Sequence, residues 1–166
     1  MKALHPHIDA DGLREFSVVF TDRSVNHMSQ KFQGAMRDIS VKLRSVYNAR
    51  HIALVPGGGT FAMESVARQF ASGQDVLTIR NGWFSFRWTQ ILDAGGFHKS
   101  HTVLKARPVH TGENAPFAPV PIEEAVAAIT ANRPGVVFAP HVETSSGIIL
   151  PDDYVAALAE AVHNVG

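Results

Sequence analysis

The sequence predicts an α/β fold with a mostly parallel sheet and helices on both faces. Three observations predict it. From residue 51 to the end, short apolar runs alternate with amphipathic segments of helical period. One of those runs, Val136 to Ala139, is apolar throughout, as a strand buried on both faces should be. Glycine punctuates the changes of period: Gly73, Asn81-Gly82 and Gly95-Gly96 each close an element.

Taken in order, Met28 to Tyr47 reads as a helix, because Phe32, Met36, Ile39, Leu43 and Val46 recur at three- and four-residue steps. His51 to Val55 reads as a short strand. Phe61 to Ala71 is a helix with Met63, Val66, Ala67 and Phe70 on one face. Val76 to Ile79 is a strand, Trp83 to Leu92 a helix, and Thr102 to Leu104 a strand. Arg107 to Pro121 is a Pro-, Gly- and His-containing loop, long enough to carry function or cover a site. Ile122 to Thr130 is a helix behind Pro121, followed by the Val136–Ala139 strand. Asp152 is placed as the cap of a last helix reaching Val162, with Val155, Leu158, Ala159 and Val162 inward.

Composition narrows the function. The 166 residues are 45% apolar and 18% charged, which suits one domain with a real core. Fifteen basic residues balance fifteen acidic ones and no basic run occurs, so neither nucleic acid nor a membrane surface is an expected partner. There is no cysteine, which excludes thiolate chemistry. Nine histidines are scattered without HExxH-type spacing, so no metal site is expected. No apolar run approaches a membrane span and MKALHPHIDADG lacks a signal-peptide layout, making the cytoplasm the expected location.

Three stretches carry candidate chemistry, all at expected carboxyl ends of strands, where ligands bind in such sheets. The first is PGGGTFAMES. Glycines at a helix mouth leave backbone N–H groups open at the positive end of the dipole, which makes a phosphate cup. A tight turn capped by Thr60 is the plainer alternative. No GxxxxGK[ST] occurs, which argues against a nucleoside triphosphate. Gly57, Gly59 and Ala62 do match G-x-G-x-x-A, and Arg80 near the next strand end suits a 2′-phosphate, so an NADP-binding oxidoreductase domain stays open.

The second stretch is RNGWFSFRW, Arg80 to Trp88. After the Asn81-Gly82 turn, Phe84 is placed to stack on a flat ring, while Trp83 and Phe86 are expected to pack. The third is APHVETSSG, Ala139 to Gly147, a polar loop that either caps itself or meets a ligand bearing a phenol oxygen.

At these residues the sequence resembles class V aminotransferases, the pyridoxal-phosphate enzymes of fold type I that include alanine–glyoxylate and serine–glyoxylate aminotransferases. PGGGTFAMES resembles the family's phosphate cup, RNGWFSFR its N-G-x-aromatic-x-x-R segment, and HVETSSG its H-x-E-[ST]-S-x-G loop. NHMSQKF, which holds His27, is similar to the segment before the family's first long helix, although the family's upstream Gly-Pro entry is absent. The resemblance implies that Gly58, Gly59 and Thr60 hold the phosphate of pyridoxal 5′-phosphate. It also implies that Phe84 stacks on the pyridine ring and that Thr144 lies on the ring's hydroxyl side.

By the same resemblance residues 1–26 form an N-terminal arm and 27–166 the N-terminal part of the large domain. The activity implied is transfer of an amino group from an amino acid to a 2-oxo acid such as glyoxylate or pyruvate, in a homodimer. The family's pyridine-nitrogen aspartate and Schiff-base lysine come later in chain order than Gly166. Lys2, Lys31, Lys42, Lys99 and Lys105 match no such position. The expectation is therefore binding residues without a catalytic residue, and inactivity of these 166 residues alone. A non-catalytic fragment of the same fold is the remaining alternative.

Overall fold

The computed structural model describes His27 and residues 29–166. The expected N-terminal arm, residues 1–26, lies outside the described residues. The chain divides into two compact units, Met1–Leu54 and Val55–Gly166.

In the first unit, helix α1 spans Gln30–Val46. Ser29 sets its start: the Ser29 hydroxyl accepts a hydrogen bond from the Phe32 amide at 3.1 Å, satisfying one orphan donor of the first turn. No residue of α1 is buried. The strand expected over His51–Val55 does not form. An apolar run becomes a strand only where a neighbour offers ladder partners, and among the described residues none pairs with it. Leu54 and Val55 are accordingly 40% and 39% exposed.

The second unit opens with helix α2, Gly59–Phe70, followed by strand β1, Asp75–Arg80, helix α3, Trp83–Gly95, and strand β2, Ser100–Lys105. The segment read as a long loop holds a short antiparallel hairpin, β3 (Arg107–Pro108) with β4 (Phe117–Ala118). Arg107 anchors it to the next helix through a paired contact with the Glu124 carboxylate at 2.9 and 2.7 Å. Helix α4 is Ile122–Asn132 and strand β5 is Val136–Phe138. A second hairpin, β6 (Val142–Glu143) with β7 (Ile148–Ile149), precedes helix α5, Asp152–Val165.

The central sheet runs β2-β1-β5 and is parallel throughout. Asp75 to Arg80 stand opposite Ser100 to Lys105, and Val76 to Thr78 opposite Val136 to Phe138. Strand alternation then divides β1 between two cores. Leu77 and Ile79 pack with Val120, Ala125 and Ile129, and with Tyr154 and Leu158 of α5. Val76 packs with Ala67, Ala71, Ile91, Leu92 and Phe138. Helices α4 and α5 therefore cover one face and α2 and α3 the other, the α/β architecture that the alternation of periods implies.

In two helices only part of the expected face packs inward: Met63 and Ala67 in α2, Leu158 and Val162 in α5. In α2, Ala67 is buried and Met63 packs against the core, but Val66 and Phe70 are exposed. In α5 the inward residues are Tyr154, Leu158 and Ala161, while Val155 and Ala159 face out. Asp152 does not cap α5. Pro151 holds the cap position, which suits a residue with a fixed φ and no N–H, and Asp152 is the first helical residue. Among the described residues no helix is long and apolar enough to cross a membrane.

Candidate functional site

Helix α2 begins at Gly59 with Gly58 in its cap position, and no side chain caps it. The first amides of a helix have no intrahelical partner, so this mouth presents open donors where the dipole is positive. Gly57 turns the chain into it at φ +124°, a conformation that L side chains rarely adopt. A Cβ there would also approach the Phe61 ring to 2.7 Å. At Gly58 and Gly59 a Cβ would meet no atom within 4 Å. Gly58, Gly59 and Thr60 are all exposed. Thr60 is a helical residue, so the plainer alternative of a Thr60 cap does not hold.

The other two candidate stretches meet around Glu143. This carboxylate is fully buried on β6, yet four donors converge on it. Its Oε1 accepts from the Phe84 amide at 3.0 Å and from the Ser145 hydroxyl at 2.5 Å. Its Oε2 accepts from the Ser85 amide at 2.8 Å and from the Ser85 hydroxyl at 2.6 Å. The same two hydroxyls serve the rest of the helix start. The Ser145 hydroxyl accepts from the Trp83 amide at 2.7 Å. The Ser85 hydroxyl accepts from the Asn81 and Gly82 amides at 2.8 and 3.0 Å. Every amide from Asn81 to Ser85 is thus satisfied by a side chain from this network.

The negative charge of Glu143 also sits at the positive end of α3. Burial alone would push the carboxyl up. The hydrogen bonds from Ser145, Ser85 and Phe84 outweigh it and hold Glu143 below its usual value. Ser146 adds one more tie, donating to the Asn81 carbonyl at 2.8 Å. Gly82 is required because a Cβ there would run into the Ser145 hydroxyl and come within 2.8 Å of the Glu143 side chain. The Asn81 side chain is buried, and among the described residues neither of its amide atoms has a partner.

This network joins two of the three candidate stretches: Phe84 stands on the first turn of α3, and Thr144 directly follows Glu143 in the turn between β6 and β7. Phe84 is 55% exposed and Thr144 is exposed, so both are open to a ligand. Trp83 does not pack as expected. It is 56% exposed, its ring tilted against Phe86 of the same helix at 5.8 Å. Phe86 lies under the Arg80 guanidinium at 5.0 Å. The packing aromatic of the segment is Trp88, stacked on Phe138 at 3.9 Å. Glu143 itself was not singled out from the sequence. A glutamate between Val and Thr gives no sign of partners that lie near residue 85.

The residues present fit a phosphorylated aromatic cofactor. The exposed glycine mouth, with no side-chain cap, suits a phosphate, and an exposed aromatic ring on the neighbouring helix suits a flat ring. Helices α2 and α3 pack against each other on one sheet face. The dinucleotide reading is served less well, since the strand that should precede its glycines is not formed. Among the described residues no group of three or more His, Asp or Glu side chains could hold a metal ion. Two apolar grooves, of about 330 and 390 Å³, lie against α5 and touch none of these residues.

No protein-family model and no curated protein matches the chain. Solved structures do: the fold is that of class V aminotransferases, as the three motifs led us to expect. The chain is similar to ureidoglycine–glyoxylate aminotransferase from Bacillus subtilis, with a TM-score of 0.64 and 21% identity over 85% of this chain. It is similar also to alanine–glyoxylate aminotransferase from Nostoc sp., with a TM-score of 0.62 and 25% identity over 83% of this chain. It spans 34% and 35% of the length of those two chains.

Proposed function

We propose that these residues form the part of a pyridoxal-phosphate-dependent aminotransferase that holds the cofactor's phosphate and ring. The observation that carries this is the joining of the Phe84 helix to the Thr144 turn, in the same compact unit as an open glycine cup. In this reading the Gly58, Gly59 and Thr60 amides and the Thr60 hydroxyl bind the phosphate. Phe84 lies against the ring face, and the Thr144 hydroxyl meets the ring oxygen. The bound cofactor would act as the electron sink for amino transfer. The protein's share within this chain is to bind and orient, and to limit water on the covered ring face.

Both neighbours act on glyoxylate by name, so glyoxylate is the 2-oxo acid we propose as acceptor, with an amino acid as donor. A cytoplasmic homodimer is part of the same proposal. The test uses pyridoxine 5′-phosphate, which has no aldehyde and so cannot label surface lysines. Saturable quenching of Trp83 and Trp88 fluorescence by this probe, weakened by Phe84→Ala, is the expected result. Quenching by NADPH with none by pyridoxine 5′-phosphate would replace the proposal with the dinucleotide reading.

A further inference from the structure

We infer that Glu143 is a positioning residue for the ring half of the cofactor site, acting through Phe84 and Thr144 and not on the phosphate half. The inference rests on the proposed cofactor reading. Its basis is the geometry of one buried side chain. Phe84 belongs to α3 and stands 59 positions from Glu143, whose neighbour Thr144 belongs to the β6–β7 turn. Both side chains are exposed. Their backbones are held relative to each other by the carboxylate between them, together with the Ser145 and Ser146 hydroxyls. Glu143 takes the Phe84 amide directly and is itself the residue before Thr144.

The carboxylate is required as such, because each of its oxygens meets a backbone N–H that can only donate, Phe84 at one and Ser85 at the other. Glutamine would keep the length and volume. Whichever way its amide turned, the NH₂ would face one backbone amide, Phe84 or Ser85, and lose that hydrogen bond, while the serine hydroxyl beside it can rotate to accept. The first turn of α3 would then be held by one oxygen instead of two. The glycine cup shares no hydrogen bond with this network, and its donors are backbone amides of α2. A ligand whose affinity comes from both halves should therefore lose only its ring contribution in Glu143→Gln.

The experiment compares pyridoxine 5′-phosphate with inorganic phosphate as competing ligands of the 166-residue protein and of Glu143→Gln, with circular dichroism to confirm the fold. The expected result is a loss of up to about tenfold in pyridoxine 5′-phosphate affinity, the size of one lost ring stack. Inorganic phosphate affinity should be unchanged. Ser145→Ala removes one donor and one acceptor of the network while leaving the carboxylate. It should show the same split, more weakly, and it carries the comparison if Glu143→Gln does not fold. An equal loss for both ligands would mean that Glu143 acts only through general stability and would overturn the inference. Unchanged affinity for both in a folded variant would overturn it while leaving the cofactor reading intact. A wild-type protein that binds neither ligand would overturn the cofactor reading itself, and the inference with it.

Discussion

Glu143 and Ser85 stand 58 positions apart in sequence and share two hydrogen bonds, the Ser85 amide at 2.8 Å and its hydroxyl at 2.6 Å from the same carboxylate oxygen. Helix α3 is thus started by a residue outside its own sequence neighbourhood. The usual local caps, Ser, Thr, Asp or Asn in the cap position, are replaced here by Gly82 and a borrowed carboxylate. The exchange lets the α3 backbone lie tight against the β6–β7 hairpin and leaves Phe84 facing out.

Acid should loosen this contact. The folded-state pKa of Glu143 is lowered, so its stabilising contribution is present above the unfolded value near 4.5. That contribution is lost as pH falls through the lower folded value. In Glu143→Gln the acid dependence of stability should flatten below pH 4.5 relative to wild type. Glu143→Ala should cost about 1–3 kcal/mol for each buried amide left unpaired. Urea denaturation across the acid range checks both, and an unchanged profile in the variants would show that the network contributes nothing to stability.

Gly82→Ala should destabilise by about 1–3 kcal/mol through overpacking. Its backbone is extended, so the cost is steric: the new methyl would meet the Ser145 hydroxyl and the Glu143 chain. Pairing Gly82→Ala with Ser145→Ala should recover part of the loss. Equilibrium unfolding of the single and double variants measures the coupling.

On the opposite sheet face, the Tyr154 hydroxyl donates to the Val120 carbonyl at 2.8 Å. Burial, with the Glu123 charge adding to it, pushes the Tyr154 pKa up to about 12 from 10.0. Stability contributed by the neutral phenol is complete below pH 10 and is lost as pH rises toward 12. Tyr154→Phe should cost about 0.5–1.5 kcal/mol at neutral pH. It should also remove the alkaline loss, as thermal melting between neutral pH and pH 11 would show.

Much of the fold was legible because local period and punctuation decide it. The helices behind Gly58, Gly82, Pro121 and Pro151 and the strands of the parallel sheet fall where apolar spacing and turn residues place them. The errors share one cause. Whether His51–Val55 becomes a strand depends on a partner edge, and which residues of α5 turn inward depends on where Leu77 and Ile79 sit. Neither is a local property. Phe84 and Thr144 could be proposed because each stands in a motif that resembles one of the class V family's. That Glu143 fastens one to the other could not, because a cap drawn from 58 positions away leaves no mark in either segment.

The central claim is that one ligand spans the glycine cup and the Phe84–Thr144 pair. Its most direct test is an amide chemical-shift titration of isotopically labelled protein with pyridoxine 5′-phosphate. The expected result is saturable shifts at Gly58, Gly59 and Thr60 together with Phe84 and Thr144, all following one binding curve. Shifts confined to the apolar grooves along α5, or at the cup without the ring pair, would contradict it.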